Sequence, residues 1–297
     1  MCNHCGMGKI AVTHFTDPGC PFAYSASPAL AVLHWRYREQ LEWRIVAIGL
    51  AEEPKRYEEH GYTATRMTLG NLNFRRHGMP LLAEPRGRIA ATTRACRAIV
   101  ATRLLHPGRE HDVLRALQFA WFTTTLIPDE DADIATALAR VNGLDAAAIV
   151  AAIDDERILE AYEQDRRETR TAEGSPTELQ GKARQTDGPV RYSAPSLIFE
   201  NEAGLRLEAG GFQPIEAYDV LIANLDTKLE RHGPADDPVR ALSAFPAGLV
   251  TQEIAAIMAP NNTLADRDAA ERELVELLGE GRVRREALAD DALWTLA

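Results

Sequence analysis

The chain has few cysteines, few positive charges relative to negative ones, and no long apolar run. Four cysteines in 297 residues are too few for the disulfide scaffold of a small secreted protein. Lysine and arginine number 33 against 44 acidic residues, and the net charge of −11 argues against general binding to nucleic acid or anionic membranes. No segment is long and apolar enough to span a bilayer, and the first residues lack the pattern of a secretory signal. These absences predict a cytoplasmic globular protein whose partners include neither nucleic acid nor a membrane.

Residues 13–24, THFTDPGCPFAY, predict a reactive cysteine at the start of a helix. The apolar alternation that precedes them is typical of a buried strand, which Pro18 and Gly19 end. Pro21 suits the first turn of a helix, where a missing N–H has no helical partner to lose. Cys20 is therefore expected at a helix N-terminus, where unpaired N–H groups and the helix dipole favour the thiolate.

The remaining pattern predicts strand–helix–strand, a long all-helical block, and then strand–strand–helix. In the first part we expect a helix over 21–39, kinked at Pro28, and a strand over 41–48. Helices are predicted at 87–105, 110–126, 131–142 and 145–170. Beta structure returns at 190–199 and 205–209, joined by a turn, and a helix follows at 214–229. A helical block between two halves of one sheet domain indicates an insertion.

Residues 234–297 are predicted to form a small separate unit. Helices at 250–257 and 268–278, followed by a hairpin of 282–286 and 292–296, are similar to a winged helix. This unit carries six arginines against twelve acidic residues, which opposes binding to phosphates. We therefore expect a role in packing or dimerisation, and a homodimer is one form this could take.

Three segments of the chain together resemble the motifs of a known protein family. Residues 17–24, DPGCPFAY, resemble the active-site stretch of the DsbA-like branch of the thioredoxin superfamily. This branch includes FrnE-type proteins, 2-hydroxychromene-2-carboxylate isomerases and kappa-class glutathione transferases. Residues 193–199, SAPSLIF, look like that family's loop with a cis-proline, here Pro195, and Gly210–Gly211 with the following helix look like its closing segment.

The resemblance implies an α/β protein with a thioredoxin fold and an all-helical insertion between its β-α-β and β-β-α halves. The thioredoxin-like domain would comprise residues 8–58 and 176–232, with the insertion at 59–175. The winged-helix-like C-terminal unit would occupy 234–297.

The chemistry departs from the family pattern at Ala23, where redox members carry a second cysteine. Cys20 is therefore expected to act as a monothiol nucleophile, and the resulting mixed disulfide would be resolved by glutathione or mycothiol. No tightly bound cofactor is predicted. Pro195 would shape the opposite wall, with the backbone of Ala194 against Cys20. Residues 21–23, Pro21, Phe22 and Ala23, would contact the small thiol or disulfide substrate.

Two other functions remain open for this chain. One is a thiol-dependent isomerase or transferase of the hydroxychromene or kappa type, in which a bound thiol performs the chemistry. The other is a non-catalytic binding or regulatory module whose redox site has decayed. Reactivity of Cys20 and thiol binding in its absence would distinguish the three.

Charged residues in the insertion provide a second group of candidates. Residues 62–115 contain ten arginines, no lysine and three acidic residues. Most of these arginines are expected to pair with acidic helices. A loop-like segment places Arg75, Arg76 and His77 as candidates for a cleft above Cys20, where guanidinium groups would bind carboxylates.

The other cysteines and one histidine have simpler interpretations. Cys2 and Cys5 are expected in a tail, and the alternative is that one of them resolves Cys20. They lack a second pair of ligands, so no metal site is predicted. Cys96 falls on an apolar helix stripe and is expected to be buried and inert. His14 could activate the thiol, although a satisfied strand histidine is the commoner case.

Overall fold

The computed structural model describes residues 9–186 and 188–297 and contains two sheets. The larger is a four-stranded mixed sheet with the order β2-β1-β3-β4, and the smaller has the order β5-β7-β6. The strands are β1 Ile10–Thr16, β2 Leu41–Ala47, β3 Ser196–Glu200, β4 Arg206–Ala209, β5 Leu249–Val250, β6 Val283–Leu288 and β7 Asp291–Leu296. Cys2 and Cys5, for which a tail and a resolving role are considered above, lie outside the described residues.

Fourteen α-helices are found among the described residues, and eight of them lie between β2 and β3. Before β3 the helices are α1 Pro21–Ser25, α2 Ser27–Tyr37, α3 Lys55–Glu59, α4 Ala64–Leu72, α5 Thr93–Leu105, α6 Glu110–Thr123, α7 Asp131–Leu138, α8 Ala146–Ala152, α9 Glu156–Thr169 and α10 Pro176–Leu179. After β4 they are α11 Ile215–Leu225, α12 Pro238–Ser243, α13 Thr251–Met258 and α14 Arg267–Gly279. Short 3₁₀ helices occur at Arg38–Gln40 and Asn73–His77. Within the described ranges, no helix has the length and apolarity needed to cross a membrane.

Strand β1 is the centre of the larger sheet. It pairs in parallel with β2 and antiparallel with β3, so that Val12 faces Trp43 on one side and Phe199 on the other. Its side chains alternate between the two faces of the sheet. Ile10 and Val12 pack with helices α2 and α11, whereas Phe15 packs with Cys20 and Tyr192. The end of β1 therefore lies next to Cys20.

The first helix is divided where the sequence predicts a kink. Helix α1 ends at Ser25, and α2 begins at Ser27 with Pro28 in its first turn. Because proline has no N–H, it cannot continue the ladder to the carbonyl four residues earlier. The break thus precedes Pro28, and α1 is a separate short helix that begins directly after Cys20.

Several predicted helices and strands are longer than the observed ones. The helix expected from residue 87 begins only at Thr93, and the one expected over 145–170 is broken between Ala152 and Glu156, where Asp155 starts a new helix. Residues 190–199, predicted as a turn that leads into an apolar strand, become a strand at Ser196, and before it the N–H of Tyr192 donates to the Thr169 carbonyl in a loop contact.

The C-terminal residues pack against both other parts of the chain. Helix α13 and its neighbours cover the face of α2 that carries Ala31, Val32 and Trp35. Against the helical block, Arg115 of α6 donates two hydrogen bonds of 2.5 Å to the carboxylate of Glu253 in α13. This unit is therefore an integrated part of the molecule.

Candidate active site

Cys20 stands between the end of β1 and the start of α1. The turn that places it is held by Asp17, whose carbonyl accepts from the Cys20 N–H at 3.1 Å and whose carboxylate accepts from the Gly19 N–H at 2.9 Å. A Cβ at Gly19 would lie 2.7 Å from Thr92 and 2.8 Å from Trp121, so only glycine fits there. The turn thus places Gly19 against Thr92, at the start of α5, and against Trp121 of α6.

The sulfur of Cys20 faces the loop before β3. Its thiol donates to the carbonyl of Ala194 at 3.3 Å, and the peptide bond between Ala194 and Pro195 is cis. The Ser196 hydroxyl accepts from the Gly211 N–H at 3.0 Å and ties this loop to the segment after β4. Cys20, Ala194 and Pro195 are thus brought together from positions far apart in the sequence.

The thiolate expected from the helix start does not match the environment of Cys20. The side chain is only 5% exposed, and burial raises the pKa of its thiol to about 12. Backbone N–H groups of Ala23 and Phe22 lower the pKa, as helix-start geometry predicts, while the charge of Asp17 raises it further. Desolvation outweighs the helix start, so Cys20 is a protonated thiol in this closed arrangement.

The raised pKa leads to a test of Cys20 reactivity in the free protein. We expect iodoacetamide to react with Cys20 about a thousandfold more slowly than with free cysteine near pH 8, because the thiolate fraction is that much smaller. The rate should still rise between pH 9 and 10.5. The measurement uses a Cys2→Ser/Cys5→Ser background with mass-spectrometric readout. A rate that reaches its plateau by pH 7 would contradict the closed thiol described here.

Asp17 also connects the site to Cys96. Its second carboxylate oxygen accepts from the Leu50 N–H at 2.8 Å and from the Cys96 thiol at 3.5 Å. Burial raises the pKa of Asp17, and these donors oppose the rise. Cys96 is fully buried, as its place on an apolar helix stripe predicts. The thiol of Cys96 is thus engaged in a hydrogen bond with Asp17.

Four aromatic rings cluster beside helix α1, which begins directly after Cys20. Phe22 is 47% exposed, and its ring meets that of Phe74 edge to face at a centroid distance of 4.7 Å. His77 lies 4.9 Å from the ring of Phe212, which is 6.5 Å from that of Phe22. We call Phe22, Phe74, His77 and Phe212 the aromatic rim.

The three candidates at 75–77 occupy different environments. His77 belongs to the aromatic rim, and Arg76 is exposed with its Nε donating to the His77 ring at 3.3 Å. Arg75 is exposed as well, but its Nε lies 3.1 Å from the carboxylate of Asp290. Only His77 therefore borders the site directly, while Arg76 makes no ion pair with any described residue.

Most other arginines of the insertion pair with carboxylates, as expected from the charge balance. Salt bridges engage Arg88, Arg94, Arg97, Arg103, Arg109 and Arg115 in addition to Arg75. Their carboxylate partners lie within the helical block or, for Arg75 and Arg115, in the C-terminal unit, so these guanidinium groups pair with the protein's own acidic residues.

His14 lies away from the sulfur. Its ring is only 2% exposed and meets the indole of Trp43 edge to face. Strand alternation turns it from the face that carries Phe15 and Cys20. His14 therefore does not act as the base for Cys20 in this arrangement.

Sequence reasoning missed three members of the site. Phe74 and Phe212 were not singled out, although Phe212 follows the Gly210–Gly211 pair that was. The third is Asp17, whose position just before Pro18 and Gly19 is a signal for a turn-holding carboxylate.

A strand that ends in a buried cysteine at a helix start, facing a cis-proline loop, defines a thioredoxin-type site. The sequence profile of the DSBA-like thioredoxin domain matches residues 11–188, and the chain belongs to this family. Its members generally carry oxidoreductase activity. A search of curated proteins returns no match.

Solved structures show the same fold at low sequence identity. A candidate protein disulfide isomerase from Nitrosomonas europaea superposes with a TM-score of 0.53 at 17% identity, over 73% of this chain and 97% of that one. A structure assigned as a DsbA oxidoreductase from Streptomyces coelicolor gives a TM-score of 0.51 at 16% identity, over 76% and 93%. At these identities the likeness concerns the fold alone.

Proposed function

We propose that this protein is a DsbA-like thiol-disulfide oxidoreductase that works as a monothiol through Cys20. The observation that carries the proposal is the buried Ala23, three residues after Cys20, where a resolving thiol would stand. Of the described cysteines, the other is Cys96, which is fully buried and bonded to Asp17. Cys20 has no second sulfur in its own helix with which to close a disulfide.

The reaction then needs an external thiol. The Cys20 thiolate attacks one sulfur of a substrate disulfide, so that a mixed disulfide forms and the other sulfur leaves as a thiolate. A low-molecular-weight thiol of the glutathione or mycothiol class attacks the mixed disulfide and releases Cys20. This attack joins the substrate sulfur to the small thiol, and a second small thiol then attacks that new disulfide and releases the substrate sulfur as a thiol. The substrate disulfide has then gained two electrons, and two small thiols have become one disulfide.

The protein's own groups support the first step. Deprotonation requires that Cys20 be uncovered, because burial is the largest cause of its raised pKa. The N–H groups of Phe22 and Ala23 and the charge of Arg191 then favour the thiolate. The Ala194 carbonyl, which holds the thiol in the closed site, becomes available to a substrate N–H.

A turnover assay tests this function. With glutathione, glutathione reductase and hydroxyethyl disulfide, the wild type should consume NADPH, and Cys20→Ala should lose at least about a hundredfold in rate because the nucleophile is gone. The matched control is Cys96→Ser, which removes a sulfur that the mechanism does not use and keeps a hydroxyl donor for Asp17.

Three results would count against the monothiol mechanism. Turnover that survives Cys20→Ala would place the chemistry elsewhere, and glutathione binding that survives the same change would favour the transferase type. Loss of turnover in the Cys2→Ser/Cys5→Ser protein would assign resolution to the tail.

For the C-terminal residues we propose a structural role within the winged-helix-like arrangement. The order α12-β5-α13-α14-β6-β7, with β5 beside β7, supports that resemblance. The exposed residues of α14 include Asp268 and Glu276, and a negative helix opposes DNA binding. The unit therefore serves contacts within the protein or between two copies of it.

A further inference from the structure

The segment from Glu52 to Gly78, which we call the cover segment, has no buried residue. It contains α3, α4 and the 3₁₀ helix Asn73–His77, and every side chain in it is exposed or half-buried. Segments with few buried apolar contacts open at low free-energy cost. The flanking residues Ala51 and Met79 are buried and fix its two ends.

The second end of the cover segment supplies half of the aromatic rim. Phe74 packs on Phe22, which follows Cys20 by two residues, and His77 packs on Phe212. Movement of the 3₁₀ helix would therefore separate Phe74 from Phe22 and widen the approach to the thiol.

The C-terminal unit holds that end in place. Asp290, in the turn between β6 and β7, accepts from the Arg75 Nε at 3.1 Å and from the Leu81 N–H at 2.8 Å. These two donors flank the end of the cover segment at Gly78. Gln252 of α13 packs so closely on Gly78 that a Cβ there would lie 2.4 Å from its amide oxygen.

Other contacts keep the C-terminal unit seated independently of Asp290. The buried pair of Arg115 with Glu253 joins it to α6, and Arg140 pairs with Glu286 on strand β6 at 2.5 Å. Asp290 is thus the carboxylate of this unit that bonds both sides of Gly78. Its loss would free the cover segment without detaching the unit.

From these contacts we infer that Asp290 is a positioning residue that sets which disulfides reach Cys20. Held by Asp290, the aromatic rim admits small disulfides such as that of glutathione and excludes disulfides carried by polypeptides. Released, the rim admits bulkier substrates. The inference rests on the proposed function of Cys20, and it gives the C-terminal unit a part in substrate selection.

The test compares the access of a small and a bulky reagent to Cys20. In the Cys2→Ser/Cys5→Ser background, Asp290→Ala should react about fivefold faster with a maleimide-linked polyethylene glycol, the gain expected from losing one half-exposed ion pair and its hydrogen bond. Iodoacetamide should gain at most about twofold. Arg75→Gln, which leaves the Leu81 contact intact, should show a smaller change in the same direction.

The matched control is Glu286→Ala, which breaks an exposed ion pair of the same hairpin away from the cover segment. It should react like the parent protein with both reagents. Equal rates for Asp290→Ala and Glu286→Ala would overturn the inference, as would a gain that is the same for both reagents. If Asp290→Ala fails to fold, the reaction rates of Arg75→Gln with the two reagents decide between these outcomes.

Turnover adds a second readout. For Asp290→Ala the KM for insulin should fall about fivefold, while kcat with hydroxyethyl disulfide should stay within about twofold of the parent value. A merely structural role would lower both activities together. Alkylation needs no catalysis, so an inactive parent protein would refute the oxidoreductase proposal while the reagent comparison still tests the role of Asp290.

Discussion

Replacing Glu253 with alanine is expected to lower the free energy of unfolding by about 3–5 kcal/mol, because it leaves a charged partner without compensation. Glu253 is 1% exposed and accepts both N–H groups that Arg115 directs at it. The same carboxylate accepts from the Val250 N–H at 2.8 Å and so starts helix α13. Urea unfolding at pH 7 measures the loss.

Two variants show which part of this loss comes from charge. Glu253→Gln retains the shape of the side chain and an oxygen that accepts from the Val250 N–H. The free energy of unfolding that it loses relative to the wild type therefore measures the ion pair. Glu286→Ala breaks the exposed pair with Arg140, which should cost no more than about 1 kcal/mol. Similar losses for Glu253→Ala and Glu286→Ala would show that burial does not govern these two contacts.

Acid is expected to destabilise the protein through His14. Burial, with a smaller contribution from the charge of His111, lowers the pKa of His14 from 6.5 to about 3. The unfolded chain therefore binds a proton as the pH falls below 6.5, while the folded chain does not until near pH 3. Stability is complete above pH 6.5 and is lost across this window, by about 2 kcal/mol at pH 5.

His14→Phe should remove that part of the acid response, since phenylalanine keeps a ring beside Trp43 and does not titrate. Urea unfolding at pH 7.5 and pH 5.0 gives the stability change for each variant. The wild type should lose about 2 kcal/mol more than His14→Phe between these values. His60→Gln, at an exposed histidine, is the matched control. An equal loss in wild type and His14→Phe would remove His14 as the cause.

Local patterns in the sequence predicted much of the sheet domain. Alternation identified β1 and β2, and the turn at 201–204 identified the pairing of β3 with β4, since these features depend on neighbouring residues. The family assignment agrees with the resemblance found at residues 17–24. The ends of the helices were less predictable, because Asp155 and Thr92 start helices within segments whose apolar period continues.

The site could be predicted less fully than the fold. The position of Cys20 follows from its own turn, but the pKa of its thiol depends on how tightly the Ala194 loop and the insertion cover it. A helix start is a local property, whereas desolvation is a property of the whole packed structure. The aromatic rim and the bond between Arg75 and Asp290 join residues far apart in the chain, and no local pattern marks them.

The packing of the last residues on α2 also has a consequence for how the protein is made. During synthesis, β1 is made long before β3, its antiparallel partner. The apolar face of α2 around Trp35 stays uncovered until residues 235–294 have been made. Contacts of such long sequence separation form late, and exposed strands and apolar faces invite association in the meantime. Helix α2 therefore gains its full native surroundings only after residues 235–294 have been synthesised.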